Sequence, residues 1–125
     1  MSTSTPTGAG LALVVDDNPS AGAINGALLE ATGWTVDHAR DGFEAIVKFR
    51  LRNYGAVVLD YRLPGMDGVE VLAWMRRHLS VCPEVVVVSS DPLAILREKF
   101  GGLGVKAILQ KPVSAIDLCQ VLRAA

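Results

Sequence analysis

The stretch Ala56-Val57-Val58-Leu59-Asp60-Tyr61-Arg62-Leu63-Pro64-Gly65-Met66-Asp67-Gly68 decides how the chain is read. Four apolar residues run straight into a carboxylate, and a loop closed by Pro and Gly follows. A continuous Val/Leu run bounded by turn residues reads as a strand buried on both faces. Asp60 then sits at the strand's carboxyl end, the edge where open parallel α/β sheets bind ligands. Taken alone, Asp60 could simply be the residue that ends a strand. Its neighbours in the fold decide between the two.

Working outward, Leu11–Val15 predicts strand one. Asn18 is placed as the cap of helix one and Pro19 as its first residue, where a fixed φ and a missing donor cost nothing. Ile24, Leu28 and Ala31 recur at helical spacing, and Gly33 is a natural stop. Trp34–Ala39 alternates and predicts strand two, less buried than strand one. Asp41 with Glu44 has capping-box form for helix two, with Ala45, Ile46 and Phe49 inward and an end near Asn53. After the opening stretch, helix three begins around Asp67 or Gly68, with Val69, Leu72, Ala73 and Leu79 on its apolar side. Glu84–Val88 predicts strand four. The tetrad Ser89-Ser90-Asp91-Pro92 can cap a helix over roughly Pro92 to Phe100, stopped by Gly101-Gly102. Val105–Leu109 predicts strand five. Ser114 caps helix five, which holds Ile116, Leu118, Val121 and Leu122. Five strands alternating strictly with five helices predict a parallel sheet covered on both faces, with right-handed crossovers. Strands one, three and four are apolar enough for central positions, and strand two suits an edge.

The 125 residues make one domain with room for a real core. Half the residues are apolar and the net charge is −1. That leaves no basic excess to suggest nucleic acid and no polybasic patch for anionic lipid. The longest apolar runs fall far short of the about 18 residues a membrane span needs. Residues 1–10 are Ser/Thr/Gly-rich without a signal-peptide pattern and are expected to be a flexible leader to a domain over 11–125. Cys82 and Cys119 lack metal-type spacing and suit free buried thiols in a reducing cytosol. His38 and His78 are expected to be ordinary surface or half-buried residues.

Four of the five strands are followed directly by a polar residue able to act. These are Asp16 and Asp17, then Asp60, Ser89 and Lys111. Singly, each has a dull explanation as a cap, a turn residue or a solvated lysine. In a parallel sheet all four strand ends share one edge, and that coincidence is the signal. Three carboxylates close together repel, so either one holds a proton or a cation neutralises them. An all-oxygen ligand set suits Mg²⁺, and no His or Cys is placed to favour zinc. With such an ion, Asp60 could act as a nucleophile towards phosphorus, giving an aspartyl phosphate. The cation and Lys111 would neutralise the phosphoryl oxygens. Ser89 could donate to the bound group only in the modified state and draw its loop inwards, which is a switch.

With these residues in place, the chain resembles the receiver domain of bacterial two-component response regulators from Leu11 to Leu122. The motifs are Val14-Val15-Asp16-Asp17-Asn18, the stretch Val58–Gly68, Val88-Ser89-Ser90 and Gln110-Lys111-Pro112. The resemblance implies a flavodoxin-like, CheY-like (βα)5 fold with strand order 2-1-3-4-5. It implies Asp60 as phosphoacceptor from a histidine of a sensor kinase or phosphotransfer protein, in a cytoplasmic phosphorelay. Mg²⁺ would be held by Asp16, Asp17, Asp60 and the backbone carbonyl of Arg62, with Asp17 and Asp60 direct ligands. Ser89 and Lys111 would be the switch hydroxyl and the phosphate-binding lysine. Such a domain is not an enzyme beyond slow self-phosphorylation and self-dephosphorylation. No direct nucleic-acid or membrane binding is expected, and the downstream protein target is not named by the residues.

One position departs from the family. Three residues before the lysine, where an aromatic switch usually stands, this chain has Ile108. Arg62 and Asp91 are expected to flank the water route to the phosphate and to pair across it. A haloacid-dehalogenase-type phosphatase would need a second aspartate where Asn18 stands. A phosphate-cradling loop would need a Gly-rich turn where Asp16-Asp17-Asn18-Pro19 stands. The remaining alternatives lie inside the family. One is a binding scaffold that works without phosphorylation, for which Ile108 is the clue. The other is a receiver module of a longer hybrid kinase or regulator.

Overall fold

The computed structural model describes residues 10–122. The expected leader therefore lies, but for Gly10, outside the described residues, as do the last three residues of the expected domain. The elements alternate: β1 (Leu11–Val15), α1 (Pro19–Ala31), β2 (Thr35–Ala39), α2 (Gly42–Leu51), β3 (Ala56–Leu59), α3 (Gly68–His78), β4 (Glu84–Ser89), α4 (Leu93–Phe100), β5 (Ala107–Gln110) and α5 (Ala115–Val121). The five strands form one parallel sheet in the order β2-β1-β3-β4-β5. This is the flavodoxin-like arrangement expected from the sequence.

Side chains leave a strand on alternate faces, so each apolar strand feeds two cores. Leu13, Val15, Val57, Leu59, Val85 and Val87 point to the side covered by α2, α3 and α4, where Ala45, Phe49, Leu72, Met75, Leu96 and Phe100 meet them. Ala12, Val14, Ala56, Val58, Val86 and Val88 point to the other side, against Leu29 of α1 and Leu118 and Leu122 at α5. The Trp34 indole N–H donates to the carbonyl of Leu122 at 2.9 Å, tying the end of α5 back to the start of β2.

The caps follow the local sequence with two exceptions. Asn18 accepts from the Ser20 and Ala21 N–H groups, and Ser114 accepts from Asp117 N–H. Asp41 caps α2, but Glu44 reaches back to the N–H of Arg40, one residue short of a closed capping box. The closed box forms at α3, where Asp67 and Glu70 each accept the other's N–H. The expected side-chain cap on α4 is absent, because the Asp91 carboxylate is turned elsewhere.

Several inward faces also differ from expectation. On α1 the buried residues are Gly22, Asn25, Gly26 and Leu29, while Ile24 is 60% exposed. Gly26 allows α1 to lie directly on His38 of β2. A Cβ at Gly26 would stand 2.7 Å from that ring. Ala73 of α3 and Ile116 of α5 are exposed, and Val71 and Met75 take the core positions on α3. Strand β5 starts two residues later than expected, although Lys106 N–H already bonds Val85. Both cysteines are free and half-buried rather than buried. Both histidines are exposed, as expected.

Candidate functional site

The backbone ladder runs one residue past several strand ends and so fixes the polar residues that follow. Asp16 N–H donates to Ala39, Asp60 N–H to Val15 and Lys111 N–H to Ser89, at 2.8–3.0 Å. Asp16 and Asp60 then make the same local turn. Each uses Oδ1 to accept the N–H two residues on, from Asn18 at 2.9 Å and from Arg62 at 3.2 Å. That leaves both Oδ2 atoms for Lys111, whose Nζ reaches Asp16 at 2.7 Å and Asp60 at 2.9 Å. Asp16 and Asp60 are buried, and Asp17 beside them is exposed. Carboxylate oxygens of Asp16, Asp17 and Asp60 lie within 4.8 Å of one another.

Burial is the main force on Asp60 and, with repulsion from Asp16, pushes its pKa above the ordinary carboxylate value, against the pull of Lys111. Burial alone would push the Lys111 ammonium down. Its hydrogen bonds and attraction to the two aspartates together reverse that and leave it above the ordinary lysine value. A carboxylate whose pKa is raised by folding adds stability below its unfolded pKa, and that contribution is lost as the pH rises through the folded value. At neutral pH the ionised Asp60 is therefore a burden on the fold. Asp60→Asn is expected to raise Tm by a few degrees at pH 7 in the absence of divalent cation, with the difference shrinking below pH 4. A thermal melt series across pH checks this. A lower Tm for the variant at pH 7 would show that Lys111 outweighs burial.

Ser89 is fully buried at the end of β4. Its hydroxyl donates to Asp91 Oδ2 at 2.9 Å, and Asp91 N–H returns to Ser89 Oγ at 3.3 Å. The Arg62 guanidinium crosses from the β3–α3 loop to the same carboxylate, through Nε at 3.2 and 3.3 Å and Nη2 at 3.0 Å. Gln110 Nε2 donates to the Asp91 carbonyl. Arg62 also lies over the Tyr61 ring, and Tyr61 meets Phe100 of α4 edge to face at 5.7 Å. Ile108 is half-buried against the core shared with α3 and α4.

The sheet edge thus gathers Asp16, Asp17, Asp60 and Lys111 in direct or near contact, with Ser89 on the same edge but turned to Asp91. Arg62 and Asp91 pair as expected. Two contacts here were not anticipated from the sequence. Asp91 accepts the Ser89 hydroxyl, for which the only signal was a carboxylate two residues after the serine. Tyr61 links the acceptor loop to α4, for which the signal was an aromatic residue directly after Asp60. A cleft of about 300 Å³ opens beside Asp17, lined also by Tyr61, Arg62, Leu63, Pro64 and Asp67. A second, more apolar cleft of the same size flanks Lys111 between Ala21, Ile24 and Asn25 of α1 and Pro112-Val113. The three carboxylates offer oxygen donors only, a set that fits a hard divalent cation.

Residues 12–123 match the response regulator receiver domain, and the chain belongs to that family. It is 36% identical over 114 residues to the transcriptional regulatory protein TcrA of Mycobacterium tuberculosis, covering 90% of this chain and 44% of that protein. It is 30% identical over 110 residues to the autoinducer 2 sensor kinase/phosphatase LuxQ of Vibrio cholerae, covering 88% of this chain and 13% of LuxQ. The chain thus spans less than half the length of either. Among solved structures, the response regulator receiver protein from Pseudomonas putida superposes with a TM-score of 0.83 at 26% identity, covering 90% of this chain and 93% of that one. A sensor protein from Polaromonas sp. JS666 gives 0.82 at 27% identity, with 90% and 91% covered. The protein is therefore a receiver domain of two-component signalling, homologous to regulators and to sensor kinases alike.

Proposed function

We propose that the protein is a Mg²⁺-dependent phosphoacceptor switch in a cytoplasmic phosphorelay, accepting a phosphoryl group on Asp60 from a phosphohistidine of a sensor kinase or phosphotransfer protein. One observation carries this reading: Asp60 stands in an oxygen-only carboxylate cluster with the Lys111 ammonium 2.9 Å from its Oδ2. In the transfer, an Asp60 oxygen forms the new O–P bond as the donor's N–P bond breaks, and the electron pair leaves with the imidazole. Asp16, Asp17, Asp60 and the Arg62 backbone carbonyl would hold Mg²⁺, which supplies positive charge against the phosphoryl oxygens. Lys111 supplies a second positive charge by leaving Asp16 and Asp60 for the incoming group. Ser89 donates to the loaded group and carries the β4–α4 loop with it, changing the surface offered to a downstream protein. The domain is not an enzyme beyond slow self-phosphorylation and hydrolysis, and it contacts neither nucleic acid nor membrane directly. Among the described residues no helix is long and apolar enough to cross a membrane.

Incubation with acetyl phosphate and Mg²⁺ is expected to add one phosphoryl mass to the wild type, and Asp60→Ala or added EDTA should abolish it. An unlabelled wild type favours a second reading, a scaffold that binds partners without modification. Ile108 is the observation behind that reading, since an aliphatic, half-buried side chain on β5 offers no aromatic group to swing inwards with Ser89.

A further inference from the structure

Resting on the phosphoacceptor reading, we propose that Asp91 is a positioning residue that keeps the Ser89 hydroxyl and the Arg62 guanidinium away from the phosphoryl group until Asp60 is loaded. A serine hydroxyl has one proton to donate. Here it goes to Asp91 Oδ2 at 2.9 Å, inside a ring closed by Asp91 N–H onto Ser89 Oγ. The same carboxylate takes two guanidinium nitrogens from Arg62. Gln110 grips the Asp91 carbonyl, and Lys111 N–H holds the Ser89 carbonyl, so the loop is anchored on both sides of the carboxylate.

An exposed arginine–aspartate pair by itself contributes little, and the Arg62 side chain is 70% exposed. What distinguishes this pair is the fully buried Ser89 hydroxyl sharing the same acceptor. A phosphoryl group on Asp60 brings a dianion with three acceptor oxygens. It competes with Asp91 for the donors that Asp91 already holds, and the Asp91 charge opposes its arrival. Loading therefore requires an exchange in which Ser89 releases Asp91 before it can donate to the phosphoryl oxygen. That exchange also loosens the only side-chain ion pair, among the described residues, between the β3–α3 and β4–α4 loops. In a domain with Ile108 in place of an aromatic switch, this carboxylate sets the difficulty of the transition.

The test is a titration with beryllofluoride, a phosphoryl mimic, in Mg²⁺, followed by ¹⁹F NMR and calorimetry on wild type, Asp91→Ala, Asp91→Asn, Ser89→Ala and the Ser89→Ala/Asp91→Ala double variant. Asp91→Ala is expected to lower the half-saturating concentration about fivefold, the scale of one charge-assisted hydrogen bond exchanged for another. Asp91→Asn, which keeps the shape and a weaker acceptor, should fall between, and it carries the comparison if Asp91→Ala does not fold. The gain should be clearly smaller in the Ser89→Ala background, where only charge relief and the freed Arg62 remain. Unchanged or weaker binding by both Asp91 variants overturns the proposal. So does an equal gain with Ser89 already removed, because charge relief alone would then account for it. A wild type that binds no beryllofluoride overturns the acceptor reading itself and this proposal with it, whereas binding by wild type with no gain in the variants sinks the proposal alone.

Discussion

Lys111→Met is expected to destabilise the metal-free protein by about 3 kcal/mol, a fall in Tm of about 10 °C for a domain of this size. The Lys111 ammonium is the one cation among the described residues bonded to both Asp16 and Asp60, whose side chains are only 3% and 7% exposed. Methionine fills the space of the stem but leaves two buried carboxylates facing each other without a counter-charge. Removing one partner of a buried ion pair costs far more than the pair itself contributes, because the orphaned charge stays desolvated. A control fixes the scale. Lys106 and Glu84 pair at 3.1 Å but are 41% and 57% exposed, so Lys106→Met should cost less than about 1 kcal/mol. Millimolar Mg²⁺ is expected to return much of the loss in Lys111→Met, since a cation bound by the folded state alone stabilises it by mass action. Urea unfolding of both variants, with EDTA and then with Mg²⁺, checks the argument. Equal losses in the two variants, or a Lys111→Met midpoint indifferent to Mg²⁺, would mean that the three carboxylates do not act as one electrostatic unit.

The same residues show where sequence reasoning succeeds and where it stops. Asp16, Asp60, Ser89 and Lys111 were legible because each follows an apolar run, and a parallel sheet puts every such end on one edge. The strand order came with the family resemblance. Helix faces were less legible. Ile24 carries the hydrophobic signal on α1, yet Gly22 and Gly26 are among its buried residues, and at Gly26 a side chain would run into the His38 ring. Helical spacing cannot register that close approach, which depends on a residue from another element. Asp91 posed a related problem. A carboxylate before a proline and a helix reads as a cap, and here Arg62, distant in sequence, and the nearby Ser89 hydroxyl draw it away. The cap rule lost at Asp91 because Arg62 and Ser89 took its carboxylate before the helix end could.

Gly68→Ala tests whether the acceptor is held by backbone packing as well as by charge. A methyl group at Gly68 would overlap the carbonyl oxygen of Asp60 and approach the Tyr61 Cα to 3.0 Å. Both are backbone atoms, so no rotamer change relieves the contact. Retreat of α3 is opposed on two counts. Gly68 N–H donates to the Tyr61 carbonyl at 2.8 Å, and the closed Asp67–Glu70 capping box fixes the first turn. The expected cost is about 3 kcal/mol, the upper end for overpacking a rigid site. It should come with at least a tenfold rise in the beryllofluoride concentration needed for half-saturation, because displacing the Asp60 carbonyl moves its carboxylate and the Arg62 backbone together. Gly42→Ala is the matched comparison. There the added methyl meets side-chain atoms of Val71 and Met66 at 2.8–3.0 Å, which can give way more readily than backbone. That variant should lose less stability and load almost normally. Should Gly68→Ala load like the wild type despite the stability loss, the β3–α3 contact would be a support for the fold alone. The precision of Asp60 would then rest on its ladder bond to Val15 and on Lys111.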